Sequence, residues 1–273
     1  MARKLHTSAP ALVTKRSYRI QNRDFVVNSI WEGAGDELHS NDLYAAKTEY
    51  GARIISGIAL VSLSVAEHMG EQGWQAPRRA AMSFDSAVKL GDCIDIELAR
   101  RGANTDLQVS VEGQRALRIA FDQDGELAPD RSDDCLRTKG RTITSGDREA
   151  FDWWISRSLP DVDLAPPDLV PWPLLASTVS GFMGRKNIVR QPHSSLVNRY
   201  NEWSFFRPVQ IGETVHAEIY DPGERESRSR PGWGVWSGRV VVVSRNEGDV
   251  VGCSNWVCMY MFDRPETGEG GAG

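Results

Sequence analysis

The chain has 273 residues, of which 40% are hydrophobic and 25% charged, with a formal net charge of −5. This is the composition of a globular protein, long enough for two domains or a fused pair with a shared core. The mild acidity excludes a global field that would draw it to nucleic acid or an anionic membrane, and no apolar run reaches the roughly 18 residues of a membrane span.

The first residues carry charge with no apolar stretch behind them, so no secretory signal is expected. Cys93, Cys135, Cys253 and Cys258 lack C-x-x-C spacing, which predicts free thiols and a cytoplasmic protein. Residues 1–14 read as a flexible leader, and Arg16 to Trp31 has weak strand and turn character. Asn41-Asp42 is a helix N-cap signal ahead of Leu43-Tyr44-Ala45-Ala46. From Ile54 to Met69 runs a helix apolar on nearly every side, as expected of one enclosed by a curved sheet. Strands are predicted over Ala80–Val88, Cys93–Arg100, Asp106–Val111 and Arg115–Phe121.

Residues 15–124 therefore form a first unit, and the charged, turn-rich residues 125–140 read as a linker. A second unit, 141–263, starts with a helix over Asp147–Ser158. Five prolines between Pro160 and Pro173 predict extended loop. A second helix follows around Leu174–Met183, then strands at Tyr200–Arg207, Thr214–Asp221, Gly234–Arg245 and Val250–Phe262. Residues 264–273 have the composition of a disordered tail.

The two units repeat each other. Met82 to Leu98, with Val88 and Gly91-Asp92, matches Tyr200 to Ile219, with Val209 and Gly212-Glu213. A polar cluster around a histidine precedes the helix in the first unit alone: Trp31-Glu-Gly-Ala-Gly35-Asp36-Glu-Leu-His39-Ser-Asn-Asp42-Leu-Tyr44-Ala45. A helix and a meander of strands, twice, is an α+β pattern with helices on one face of antiparallel sheet.

The order Gly-Asp…His…Asp-x-x-Tyr-Ala, a long buried helix with Ser56-Gly57 near its start, then Phe-x-x-x-Val-x-x-Gly-Asp resembles the hot-dog fold. Within it the chain resembles the MaoC-type (R)-specific enoyl-thioester hydratases and dehydratases over about residues 15–263. The resemblance implies a double hot-dog: two antiparallel sheets, each wrapping a long central helix, joined as an internal pseudo-dimer. It implies a hydratase or dehydratase acting on an acyl thioester of coenzyme A or of an acyl carrier protein. Coenzyme A or phosphopantetheine would enter as part of the substrate, with no separate cofactor. That family carries its dyad on a loop of the form Gly-Asp-x-Asn-Pro-Leu-His; here Gly35-Asp36-Glu37-Leu38-His39 is two residues shorter and lacks Asn-Pro.

The reaction needs groups that move protons to and from water and the α-carbon, and donors for the charge growing on the thioester oxygen. His39 is the candidate base and Asp36 its partner. The Gly57 N–H at a positive helix end, helped by the Ser56 hydroxyl, is the candidate oxyanion donor. Plain structural roles stand beside these: His39 or Asp42 capping the helix, Asp36 as a turn residue, Gly57 serving close packing. His68, His193 and His216 read as structural. Asp42, or Asp168 or Asp163 from the second unit, is an alternative acid. Arg225, Arg228 and Arg230, in a segment read as a strand-to-strand loop, could meet substrate phosphates or form a solvated hairpin tip. No histidines or cysteines stand at metal-ligand spacing. The alternatives in function are an acyl thioesterase, using Asp36 or Asp42 on water, and a non-catalytic acyl- or partner-binding protein. A monomer (the pseudo-dimer) or a homodimer is expected.

Overall fold

The computed structural model describes residues 12–32, 37–72, 76–101, 104–122, 127–128, 131–162, 166–183, 188–189 and 193–262. The first half runs β1 (Leu12–Arg19), α1 (Asn22–Glu32), one-turn helices α2 (Glu37–Ser40) and α3 (Asp42–Ala45), and α4 (Gly57–Gln72). It continues through β2 (Arg79–Phe84), β3 (Cys93–Arg101), β4 (Asn104–Val111) and β5 (Gln114–Asp122). The second half runs β6 (Leu136–Arg137), β7 (Arg141–Thr142), α5 (Ser145–Ser158), β8 (Leu169–Val170), α6 (Trp172–Met183) and β9 (His193–Phe205). It ends with β10 (Val209–Gln210), β11 (Thr214–Glu226), β12 (Trp233–Ser244) and β13 (Val250–Phe262).

Eleven of the strands form one antiparallel sheet in the order β1-β3-β4-β5-β2-β9-β13-β12-β11-β6, with β7 also on β11, and β8 and β10 pair separately. The repeat written in the sequence is a repeat in space. Gly91 and Gly212 close the same turn at φ 90° and 91°, a left-handed conformation that glycine adopts without steric cost. In each turn the next residue's carboxylate accepts a backbone N–H three residues back, Lys89 N to Asp92 Oδ2 and Gln210 N to Glu213 Oε2. Ile20 and Ile143 exchange the same pair of backbone bonds with these turns. Helices α1 and α5 begin two residues later, and Asp24 and Asp147 each turn back on the residue ahead of the helix. Counted from the turns, Ala80 matches Asn201 and Met82 matches Trp203. The register across the halves pairs Ala80 with Trp203, Ala81 with Glu202 and Met82 with Asn201, so a pseudo-twofold axis passes between Ala81 and Glu202. Arg79 pairs with Glu202 at that seam.

Helix α4 is enclosed as its composition demands: Ile58, Ala59, Leu60, Val61, Leu63, Val65 and Ala66 are all buried. Helix α6 is buried along almost its whole length and lies against α4 and α1. Its Gly181 has no room for a Cβ, which would run into the Trp31 carbonyl oxygen and Glu32 Cα.

Several sequence expectations are corrected. Residues 12–14 of the expected leader are in β1, paired with Arg100, Ala99 and Leu98. The weak strand and turn over Arg16–Trp31 is strand β1 followed by helix α1. That helix escapes the periodic pattern because apolar Val26 and Ile30 are exposed while Asp24 and Asn28 are buried. Part of the expected linker is strand β6, and its Arg131 and Arg137 neutralise the buried Glu218 carboxylate. β2 ends at Phe84 rather than Val88, and Pro173 sits in the first turn of α6, where its missing N–H is tolerated. The tail 264–273 lies outside the described residues.

Cutting the chain near Gly125 would strip β2 of its partner β9 and α1 of its cover by α5 and α6. The fragment 1–125 is expected to be insoluble; a well-dispersed amide NMR spectrum from it would overturn this account.

Candidate active site

A cavity of about 1030 Å³ lies between the halves. Its walls combine α1, the α2 turn, the start of α4, the loop after β2, the end of α6 and the face of β9 and β13. Leu60, Phe84, Phe182, Met183 and Trp256 contribute apolar surface to its lining, and Asn28, Glu32, His39 and Ser56 contribute polar groups.

His39 stands on α2 with its Nδ1 2.7 Å from the Ile54 carbonyl oxygen. A carbonyl oxygen only accepts, so Nδ1 carries the proton and the lone pair of the neutral ring sits on Nε2. Ser56 is the N-cap of α4: its Oγ accepts the Ala59 N–H at 3.1 Å, and its carbonyl accepts from Leu60. Asn28 Nδ2 bridges Ser56 Oγ, at 3.1 Å, and Glu32 Oε2. The sequence reading passed over Glu32. The residue is half-buried, but its carboxyl is sealed inside. Burial pushes that carboxyl above the usual carboxylate range, opposed by neighbouring His39 when its ring is protonated and by the Ser56, Ser180 and Asn28 side chains. Arg141 closes the end of α1 by donating to the Ile30 and Trp31 carbonyls at 2.9 and 3.2 Å.

The matched positions in the second half are apolar. Asn28 and Glu32 on α1 correspond to Phe151 and Ile155 on α5, both fully buried. The bridge Ile54–Lys89 corresponds to the ladder pair Leu169–Gln210, so Ser56-Gly57 corresponds to Pro171-Trp172. The Trp172 indole occupies the start of α6, packed on Phe121 and Phe205 at 6.4 and 5.5 Å between ring centroids.

No protein-family model and no curated protein matches the sequence. Solved structures match in three dimensions along the whole length. A Chloroflexus aurantiacus protein assigned as a MaoC-domain dehydratase superposes with a TM-score of 0.67 at 11% identity, over 94% of this chain and 96% of that one. A conserved hypothetical protein of Mycobacterium tuberculosis, described as a double hotdog, gives 0.65 at 9%, over 93% and 96%. A MaoC-like dehydratase from Phytophthora capsici gives 0.53 at 12%, over 96% and 99%. The chain is a double hot-dog.

In this double hot-dog the expected site residues separate. His39, Ser56 and Gly57 meet at the cavity, whereas Asp36 lies outside the described residues, as does Asp163. Asp42 does not line the cavity. Asn41 rather than Asp42 caps α3, accepting from Leu43 and Tyr44, and the exposed Asp42 carboxylate is held by Arg53 at 2.6 Å. Asp168 sits in an exposed turn ahead of β8, away from the cavity. Arg225 is in strand β11 opposite Val235, not on a loop, because a bulge between Tyr220 and Gly223 lets the strand resume. With Arg228 and Arg199 it lines a second recess of about 610 Å³, and Arg199 and Arg230 also line the first cavity. Arg199 is the residue left over where β9 slips register against Val257 and Cys258. Arg230 pairs with Glu49 at 2.8 Å and lies over the Trp233 ring. His216 is in β11 beside Glu218, and the His68 and His193 side chains lie outside the described residues. Among the described residues no three His, Cys, Asp or Glu side chains form a metal cluster, and no helix is long and apolar enough to cross a membrane.

Gly57 has a packing reason as well as a position: a Cβ there would stand 2.8 Å from the Phe84 ring. Gly57→Ala is expected to lower stability by about 1–3 kcal/mol through overpacking, with Phe84→Leu in the same chain recovering most of the loss in denaturant titration.

Proposed function

We propose that the protein adds water to, or removes it from, an acyl thioester, with His39 as the base. The observation that carries this reading is the His39–Ile54 hydrogen bond. It sets the tautomer that presents Nε2 as acceptor, in a cavity that the capped start of α4 also lines and that carries apolar surface as well as polar groups. In the hydration direction His39 Nε2 takes a proton from water as its oxygen bonds to the β-carbon. The negative charge moves toward the thioester oxygen, and the α-carbon then gains a proton. The Gly57 N–H, in the first turn of α4 with the positive end of the helix behind it, is assigned to that oxygen. The Ser56 hydroxyl holds the helix start and the polar cluster in place. The acyl chain would lie along Leu60, Phe182, Met183 and Trp256. The phosphates of a coenzyme A thioester would meet Arg199, Arg225 and Arg228, whose guanidinium groups suit them. The chemistry described calls for no added cofactor.

A panel of enoyl- and 3-hydroxyacyl-thioesters followed by mass spectrometry tests the reading. Gain or loss of one water is expected, and His39→Ala should slow it by about 10²–10⁴-fold. Release of free thiol would shift the assignment to a thioesterase; an unchanged rate in His39→Ala would remove the base. Arg225→Ala and Arg228→Ala should each raise KM for a coenzyme A thioester about tenfold with kcat little changed, as expected for binding that is equal in ground and transition states. The same variants should leave KM for an acyl-pantetheine lacking the nucleotide unaltered.

A further inference from the structure

The polar positions of α1 are unneeded by the fold. Helix α5 occupies the equivalent place with Phe151 and Ile155 where α1 has Asn28 and Glu32, and both are fully buried there. Burying a carboxyl is costly unless it is fully hydrogen-bonded, yet Glu32 Oε1 is shielded from solvent and makes no hydrogen bond. Three side chains from different elements converge on the group: Asn28 from α1, Ser56 from the start of α4 and Ser180 from α6. The close approach that brings α6 there depends on Gly181, which touches the α1 backbone at Trp31 and Glu32. A carboxyl that the second copy replaces with isoleucine, left with an open acceptor in a cavity beside a histidine, is poised for proton transfer.

We propose that Glu32 is the second catalytic group of this site, delivering the proton to the α-carbon while His39 removes one from the attacking water. This rests on the hydratase reading above. In the hydration direction Glu32 enters as the neutral acid and His39 as the neutral base. The water oxygen forms its bond to the β-carbon as its proton passes to His39 Nε2, and the π electrons shift toward the thioester oxygen. The Glu32 O–H bond then breaks, its proton forming the α C–H bond as the carbonyl re-forms, and a carboxylate facing an imidazolium remains. Transfer of one proton from His39 to Glu32 restores both groups, so protons and charge balance over the cycle. Burial, which favours the neutral carboxyl, supplies the acid at the start.

The test compares Glu32→Gln, Glu32→Asp and His39→Ala on the thioester that the panel identifies, with thermal unfolding of wild type and Glu32→Gln from pH 4 to 9. Glu32→Gln should lower kcat about 10²–10⁴-fold with KM little changed, and Glu32→Asp should recover part of it. The wild-type kcat/KM profile should fall at high pH as Glu32 ionises. A structural role for Glu32 predicts no such alkaline limb. Because the folded carboxyl titrates above its unfolded value, its stabilising contribution is complete below about pH 4.5 and is lost as pH rises through the folded pKa. Glutamine does not titrate, so the advantage of Glu32→Gln in melting temperature should widen as the pH rises. An advantage that is constant with pH, or a Glu32→Gln chain that does not fold, overturns the proposal. Full activity in Glu32→Gln while His39→Ala is inactive removes Glu32 and leaves the hydratase reading intact. Full activity in both removes the reading itself.

Discussion

The pairing of β2 with β9 is the constraint on which the molecule rests. Its register sets the pseudo-twofold axis at Ala81–Glu202, and from that single alignment the rest of the geometry follows. A slip of one residue would turn every side chain of one strand to the opposite face and would move α4 away from α6. Because the axis lies where it does, the end of α6 reaches across to the start of α4 and the end of α1. The cavity is therefore walled by both halves, and neither half contains a site alone. The Arg79–Glu202 ion pair sits on this seam, with Glu202 nearly buried.

The two halves keep the same scaffold and differ in where they place polarity. The turns at Gly91 and Gly212, the isoleucines that dock on them and the aspartates that cap α1 and α5 are kept in both. The change that bears on the cavity lies around the helix start. In the first half Asn28, Glu32 and Ser56 face one another there. In the second, Phe151, Ile155 and Trp172 fill the same space with carbon, and Trp172 stacks into an aromatic group with Phe121, Phe205 and Trp203. An apolar plug of this size adds to the shared core, so the half without polar groups acts as foundation for the half that has them.

The scaffold was legible in the sequence because turns and enclosed helices leave local marks. Gly91-Asp92 and Gly212-Glu213 repeat with their flanking alternation, and the apolar run of α4 has no side that could face water. The lining of the cavity was legible in part. His39 could be found by its place ahead of that helix, and Ser56-Gly57 by lying at its start. Glu32 could not, since it lies in a helix whose apolar residues point both inward and outward, and α6, which approaches it at Gly181, is far along the chain. The difference between Glu32 and Ile155 becomes visible only once α1 and α5 are superposed through Ile20 and Ile143. Arg199 was hidden for a similar reason: a register slip in β9 aims it, and nothing in the neighbouring letters announces that slip. The placement of Asp42 was not legible, because an acidic residue next to an N-cap reads the same whether its carboxylate faces a cavity or pairs outside it with an arginine.

Covalent fusion of the two halves has a consequence at the level of variation. In a symmetric dimer of identical chains every substitution appears twice, so a change that reshapes one wall of the cavity also lands at the equivalent helix of the other copy. Here the end of α6 contributes Phe182 and Met183 to the wall, while its start carries Trp172 where α4 has Gly57. Residues of α6 are thus able to drift, and the shape of the cavity with them, while His39 and the start of α4 stay as they are. The shape of the cavity and the polar cluster within it are encoded by separate stretches of one chain and can vary independently.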